Sequence, residues 1–89
     1  MLVLPAELTH AQASACMRML VQAVSRQGPE VVVDASATTV FDSSALAVLL
    51  DCRRACLASH RAFRVHGLSP RLRQLAGLYG VAGLLGETS

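Results

Sequence analysis

Glu30-Val31-Val32-Val33-Asp34 narrows the choices more than any other stretch of this 89-residue chain. Three β-branched residues in a row favour extended backbone, where their stiff side chains pack without crowding a helical turn. Gln27-Gly28-Pro29 punctuates the run on one side and the small-residue loop Ala35 to Thr39 on the other. The run lacks polar alternation, so it reads as a central strand covered on one face or on both. A covered strand requires helices to cover it, and the flanking sequence has their signatures.

Thr9-His10-Ala11-Gln12 forms a capping box, with Thr9 as N-cap and Gln12 reaching back to its amide. The helix it opens is expected to run to about Arg26, with Ala13, Cys16, Met17, Leu20 and Val24 facing inward at spacings of three and four. Val40-Phe41 should return two apolar side chains to the core, after which Asp42 and Ser43 cap a second helix that runs to about Ser59. Ala62 to His66 alternates like a strand with one wet face. Ser69-Pro70 opens a third helix with an inner face of Leu72, Leu75, Ala76 and Tyr79, and Gly80 stops it. Leu2-Val3-Leu4 and Val81 to Leu85 complete the chain as short terminal strands, the second of them a strand or a turn. Strands alternating with helices predict a single α/β domain over residues 1–89, with helices packed on a mostly parallel sheet.

Composition removes several function classes. With aromatic residues at 3% and no Trp, the core must be built from Leu, Val and Ala. A net charge of +2 without a basic stripe or stacking aromatics argues against nucleic acid. Cys16, Cys52 and Cys56 are odd in number and irregular in spacing, which reads as reduced core thiols and predicts a cytoplasmic setting. The N-terminus lacks the basic region of a signal peptide. The longest apolar run, Ala45 to Leu50, is far short of the ~20 residues a membrane span needs. Any tie to a membrane is therefore expected through a partner.

Catalytic patterns are equally thin. His10, His60 and His66 fall in different elements, and Cys52 with Cys56 has no second pair, so no metal is expected. Ser43, Asp34 and a histidine could be written as a triad, but no Gly-x-Ser-x-Gly elbow surrounds Ser43. Phosphate loops and dinucleotide fingerprints are absent, so no cofactor is expected. The chain reads as a binding module rather than an enzyme.

The informative stretch is Asp42-Ser43-Ser44-Ala45-Leu46 with the helix behind it. At 100° per residue, Ala45, Val48, Leu49, Cys52 and Cys56 form one charge-free face, the candidate core. Ser43, Leu46, Ala47, Leu50, Arg53 and Arg54 form another, where leucines stand beside arginines and a hydroxyl. An apolar patch rimmed by charge points to a partner surface, expected at Ser43, Leu46, Ala47, Leu50 and Arg54. Leu46 lies on the border of the two faces. A phosphate on Ser43 would be tolerated at the positive end of the helix while changing that surface by nearly two charges.

Val31-Val32-Val33-Asp34, the small-residue loop, and Val40-Phe41-Asp42-Ser43-Ser44-Ala45-Leu46 with its following leucines resemble the signature of STAS domains, the sulfate-transporter and anti-sigma-antagonist family. Val65-His66-Gly67-Leu68-Ser69-Pro70 and Leu75 to Val81 extend the likeness to roughly two thirds of the chain. Within that family, Asp-Ser-Ser-Ala-Leu-Ala, Arg53-Arg54 and Leu75-Ala76-Gly77-Leu78-Tyr79-Gly80-Val81 are most similar to the MlaB-type subunit of the Mla phospholipid-transport ABC complex of Gram-negative bacteria. That resemblance implies a non-catalytic module that binds the cytoplasmic ATPase subunit and supports its assembly and activity, with the Ser43 helix end in or near the contact. The anti-sigma antagonists are the alternative branch. Their pattern implies phosphorylation of Ser43 by an anti-sigma serine kinase, although Ala45 stands where they usually carry Gly. The STAS pattern also begins with a β-hairpin for which this chain has too few residues ahead of Gln12. A four-stranded sheet is therefore expected, with an open edge that a second copy of the chain or the partner would cover.

Overall fold

The computed structural model describes residues 1–88. Its centre is the valine run, strand β3 (Glu30–Asp34), which pairs in parallel along its whole length with β5 (Ala62–His66), from Glu30↔Ala62 to Asp34↔His66. On the other side β3 pairs with β1 (Leu2–Val3) through Leu2↔Val33 and Val3↔Asp34, and β5 pairs with β6 (Glu87–Thr88). The four strands lie in the order β1-β3-β5-β6, and each described ladder is parallel. The outer edge of β1 has no strand partner among the described residues.

Alternation along the strands shows which face is covered. Val31, Val33 and Val65 are fully buried, whereas Val3, Arg64 and His66 on the opposite face are exposed and Val32 is half-buried. The helices thus cover one face of β3, not both. Glu30 and Arg64 make an ion pair on the open face at 3.2 Å, with both side chains half exposed, which is worth little in water.

Helix α1 (His10–Val24) starts as its sequence requires, with the Thr9 amide donating to Gln12 Oε1 at 2.9 Å. Cys16, Leu20 and Val24 are buried, and Ala13 and Met17 pack against them. The helix stops at Val24 rather than near Arg26, because the Arg26 and Gln27 amides bond three residues back, to Ala23 and Val24, and tighten the last turn. The Arg61 guanidinium then takes up the carbonyls of Ser25, Gln27 and Gly28 at 3.2–3.3 Å.

Helix α2 (Ser44–Ala58) packs on α1 and on β5. Ala45, Val48, Leu49, Cys52 and Cys56 are its buried face, as their phase predicts. The segments leading into α1 and α2, β2 (Glu7–Leu8) and β4 (Val40–Phe41), form a separate parallel ladder with Leu8 opposite Phe41. Alternation across that ladder corrects one expectation. Leu8 is buried and Phe41 packs against the core, but Val40 points outward and is 53% exposed.

Helix α3 (Pro70–Leu78) begins with the Ser69 hydroxyl accepting from the Leu72 amide at 3.2 Å. Leu72 and Ala76 are buried and Leu75 half-buried, but Tyr79, expected on the inner face, is 61% exposed. Tyr79 is the C-cap and is still helical in backbone, its amide donating to the Leu75 carbonyl at 3.2 Å, so it keeps its phase but lies at the very end of the helix, beyond its buried part. Gly80, at φ +70°, then closes a Schellman turn, donating to the Gly77 carbonyl while Val81 donates to Ala76. The segment Val81 to Leu85, expected as a strand or turn, is a 3-10 turn at Ala82–Leu84, and the last strand comes later, at Glu87–Thr88.

Gly67, at φ +74°, lets the turn after β5 lie against the loop after β3: a Cβ there would stand 2.7 Å from Ser36 Cβ. Gly67→Ala should therefore cost about 2–3 kcal/mol, from left-handed backbone and overpacking together. Urea unfolding would register this as a lowered midpoint at unchanged slope.

Candidate docking groove

The site is built around the entry to α2. Asp42 caps it, as predicted: Oδ1 accepts from the Ser44 amide at 2.8 Å. Its other oxygen, Oδ2, accepts from the His10 amide at the start of α1 at 3.0 Å. The His10 amide first, then the Ser44 amide, hold the Asp42 carboxyl below the ordinary carboxylate range. Ser43 does not share the capping expected of it. Its backbone is already helical, at φ −62° and ψ −16°, and its hydroxyl makes no capping bond. That side chain stands exposed at the head of a groove.

The groove lies between α2 and α3 and consists of two shallow hollows that share Ser43 and Tyr79. One, of about 370 Å³, runs from Phe41 and Asp42 to Arg71, Gln74, Leu75 and Leu78. The other, of about 280 Å³, is lined by Leu46, Ala47, Leu50 and Val81. The Arg71 guanidinium lies 5.7 Å from the Phe41 ring centroid, which fixes a positive charge at one end. Leu78 is 80% exposed on the rim.

Of the residues expected at a partner surface, the structure brings Ser43, Leu46, Ala47 and Leu50 together here. Leu46 needs correction: it is only 3% exposed, so it belongs to the core and gives the groove its floor rather than a protruding contact. Arg54 lines neither hollow. Its guanidinium is held at 2.7 Å by Asp51, three residues earlier on the same helix. Sequence reasoning missed the α3 wall as a surface, above all Leu78, whose signal was a leucine out of phase with Leu72 and Ala76.

The groove has the makings of a contact surface. Among the described residues no histidine or cysteine lines it, and the carboxylate that does, Asp42, is occupied by two amides. Asp34, the acid of the triad written from sequence, accepts from the Ser36 amide at 2.9 Å and has His66 as its register partner. The Ser36 hydrogen bonds, with a smaller contribution from His66, lower its carboxyl from the usual value. Among the described residues no group of three His, Cys, Asp or Glu could hold a metal ion, and no helix is long and apolar enough to cross a membrane.

Cys16, Cys52 and Cys56 are free and buried. Burial first, then the neighbouring Cys56, pushes the Cys52 thiol up to about 12. Native protein at neutral pH should resist iodoacetamide at all three positions, whereas urea-unfolded protein takes up three labels by mass spectrometry.

Residues 1–86 match the protein family described as "Mlab, STAS domain". The chain belongs to this STAS family. Its fold is similar to the crystal structure of a sulfate transporter family protein from Wolinella succinogenes, with a TM-score of 0.75 over 94% of this chain and 68% of that one. The two are 14% identical, so that likeness speaks for the fold alone. No curated protein matches the chain. The STAS family is one of non-catalytic interaction modules, and a groove with apolar walls and no base suits such a module.

Proposed function

We propose that this STAS domain binds and supports the cytoplasmic ATPase subunit of a phospholipid-transport Mla ABC complex, and that it does so through the groove between α2 and α3. The observation that carries the reading is the pair of strongly exposed residues Leu78 and Tyr79 on the two adjoining hollows, on a domain matched to the MlaB-type family over nearly its whole length. Apolar side chains at those exposures cost free energy in water and regain it under a partner. Arg71 adds a charge that orients an incoming surface. The domain would reach the membrane only through this complex.

A second reading rests on Ser43. Its hydroxyl is exposed and uncapped at a helix N-terminus, a position where phosphate is electrostatically tolerated. In this reading the domain is an anti-sigma factor antagonist switched by a serine kinase. Co-expression of the tagged chain with the Mla-type ATPase of its own organism separates the two. A co-purifying complex that is lost with Leu50→Glu supports the transporter reading. Failure to bind that ATPase, together with phosphate transfer to Ser43 from a co-purifying serine kinase, would replace it with the antagonist reading.

A further inference from the structure

We infer that Asp42 is a positioning residue that couples the N-terminus of α1 to the docking groove, an inference that takes the groove's role from the proposed function. Asp42 stands between Phe41 and Ser43, which both line the groove. One of its carboxylate oxygens holds the first amide of α2 and the other holds the first amide of α1, across 32 residues of sequence. The segments leading into the two helices are already fastened to each other. The Thr38 hydroxyl donates to the Pro5 carbonyl at 2.8 Å, the Thr39 amide to Ala6 at 2.9 Å, and β2 pairs with β4. Those links end at Phe41. Asp42 carries the hydrogen-bonded connection on into the start of α2, where Ser43 contributes no side-chain cap, beside the packing of α2 on α1. A carboxylate can accept from both amides at once, whereas an asparagine has one acceptor oxygen and must release one of them. The first turn of α2, and with it Ser43 at the head of the groove, is therefore held to the start of α1 by this carboxylate in addition to the packing of the helices.

The geometry allows the link to be cut without touching the groove. His10 is the first helical residue of α1, where proline is well tolerated, and Thr9 before it is already extended, at φ −106° and ψ −175°. His10→Pro deletes only the donor to Asp42, and His10→Ala retains it. Amide exchange at Ala45 and Leu46, in the first turn of α2, should quicken about tenfold in His10→Pro and in Asp42→Asn, and remain at the wild-type rate in His10→Ala. The double variant should be no worse than the worse single variant, since both cut one link. Affinity for the ATPase should fall about tenfold in the same variants. If His10→Pro leaves exchange at Ala45 and Leu46 unchanged while Asp42→Asn raises it, Asp42 is a local cap and the inference is overturned. Exchange is read on the isolated chain. A chain that binds no ATPase would therefore sink the proposed function while leaving the coupling still decided by exchange.

Discussion

Leu49→Ala is expected to remove about 3 kcal/mol from the folding stability of this domain. Leu49 is fully buried on the face of α2 that carries Val48 and Cys52. Truncating a leucine in such a place loses its transfer free energy and leaves a cavity that neighbours fill only in part, at about 2.7–5 kcal/mol. A chain of 89 residues has a total stability on the order of 4–13 kcal/mol, so the loss is a large share of the whole. In urea the midpoint should drop by about 2 M at a slope of about 1.5 kcal/mol/M. Leu57→Ala on the same helix is the control. Leu57 is 50% exposed, and its truncation should change stability by under about 0.5 kcal/mol. Equal effects at the two sites would mean that the buried face of α2 is wrongly placed.

Leu50→Glu has the second large effect, on docking rather than folding. Leu50 is half-buried in the wall of the smaller hollow. A carboxylate there would be desolvated under a partner with nothing arranged to pair it. An unpaired buried charge costs about 3–5 kcal/mol, which is a loss of affinity of roughly 10²–10⁴-fold. In the free domain the same side chain can turn toward water, so the loss of stability should be about 1 kcal/mol. Arg54→Ala should change affinity less than about threefold, because Arg54 lines neither hollow and is paired with Asp51.

The contrast between these residues shows what the sequence made legible. Val31 to Val33, the Thr9–Gln12 box and Ser69-Pro70 act locally, through neighbours within four residues, and each stands in the structure where its pattern puts it. The ladder of Glu7–Leu8 with Val40–Phe41 was not legible, since two residues per strand carry no periodicity. Leu46 was ambiguous because helical phase places it on a border, and only the tertiary packing, which leaves it 3% exposed, decides it for the core. Arg54 lies outside the two hollows, and its pairing was legible: Asp51 stands three residues before it, within reach on the same helix surface. Tyr79 keeps the helical phase of Leu72 yet is 61% exposed, since phase along one helix does not tell where the surface it packs on ends. The Asp42–His10 bond joins residues 32 apart, and no local pattern announces a contact of that kind.

The domain's role as a docking module is tested most directly by titrating the purified chain into the Mla-type ATPase of its own organism, with Leu78→Glu alongside. Leu78 is 80% exposed, so this variant keeps its fold and changes only the rim of the groove. The expected result is a saturable complex for the wild type, with a Kd of about 1 μM or tighter, weakened about 100-fold or more in the variant. A wild-type chain that fails to bind, or a Leu78→Glu chain that binds as tightly as wild type, would contradict the assignment of the α2–α3 groove as the docking surface.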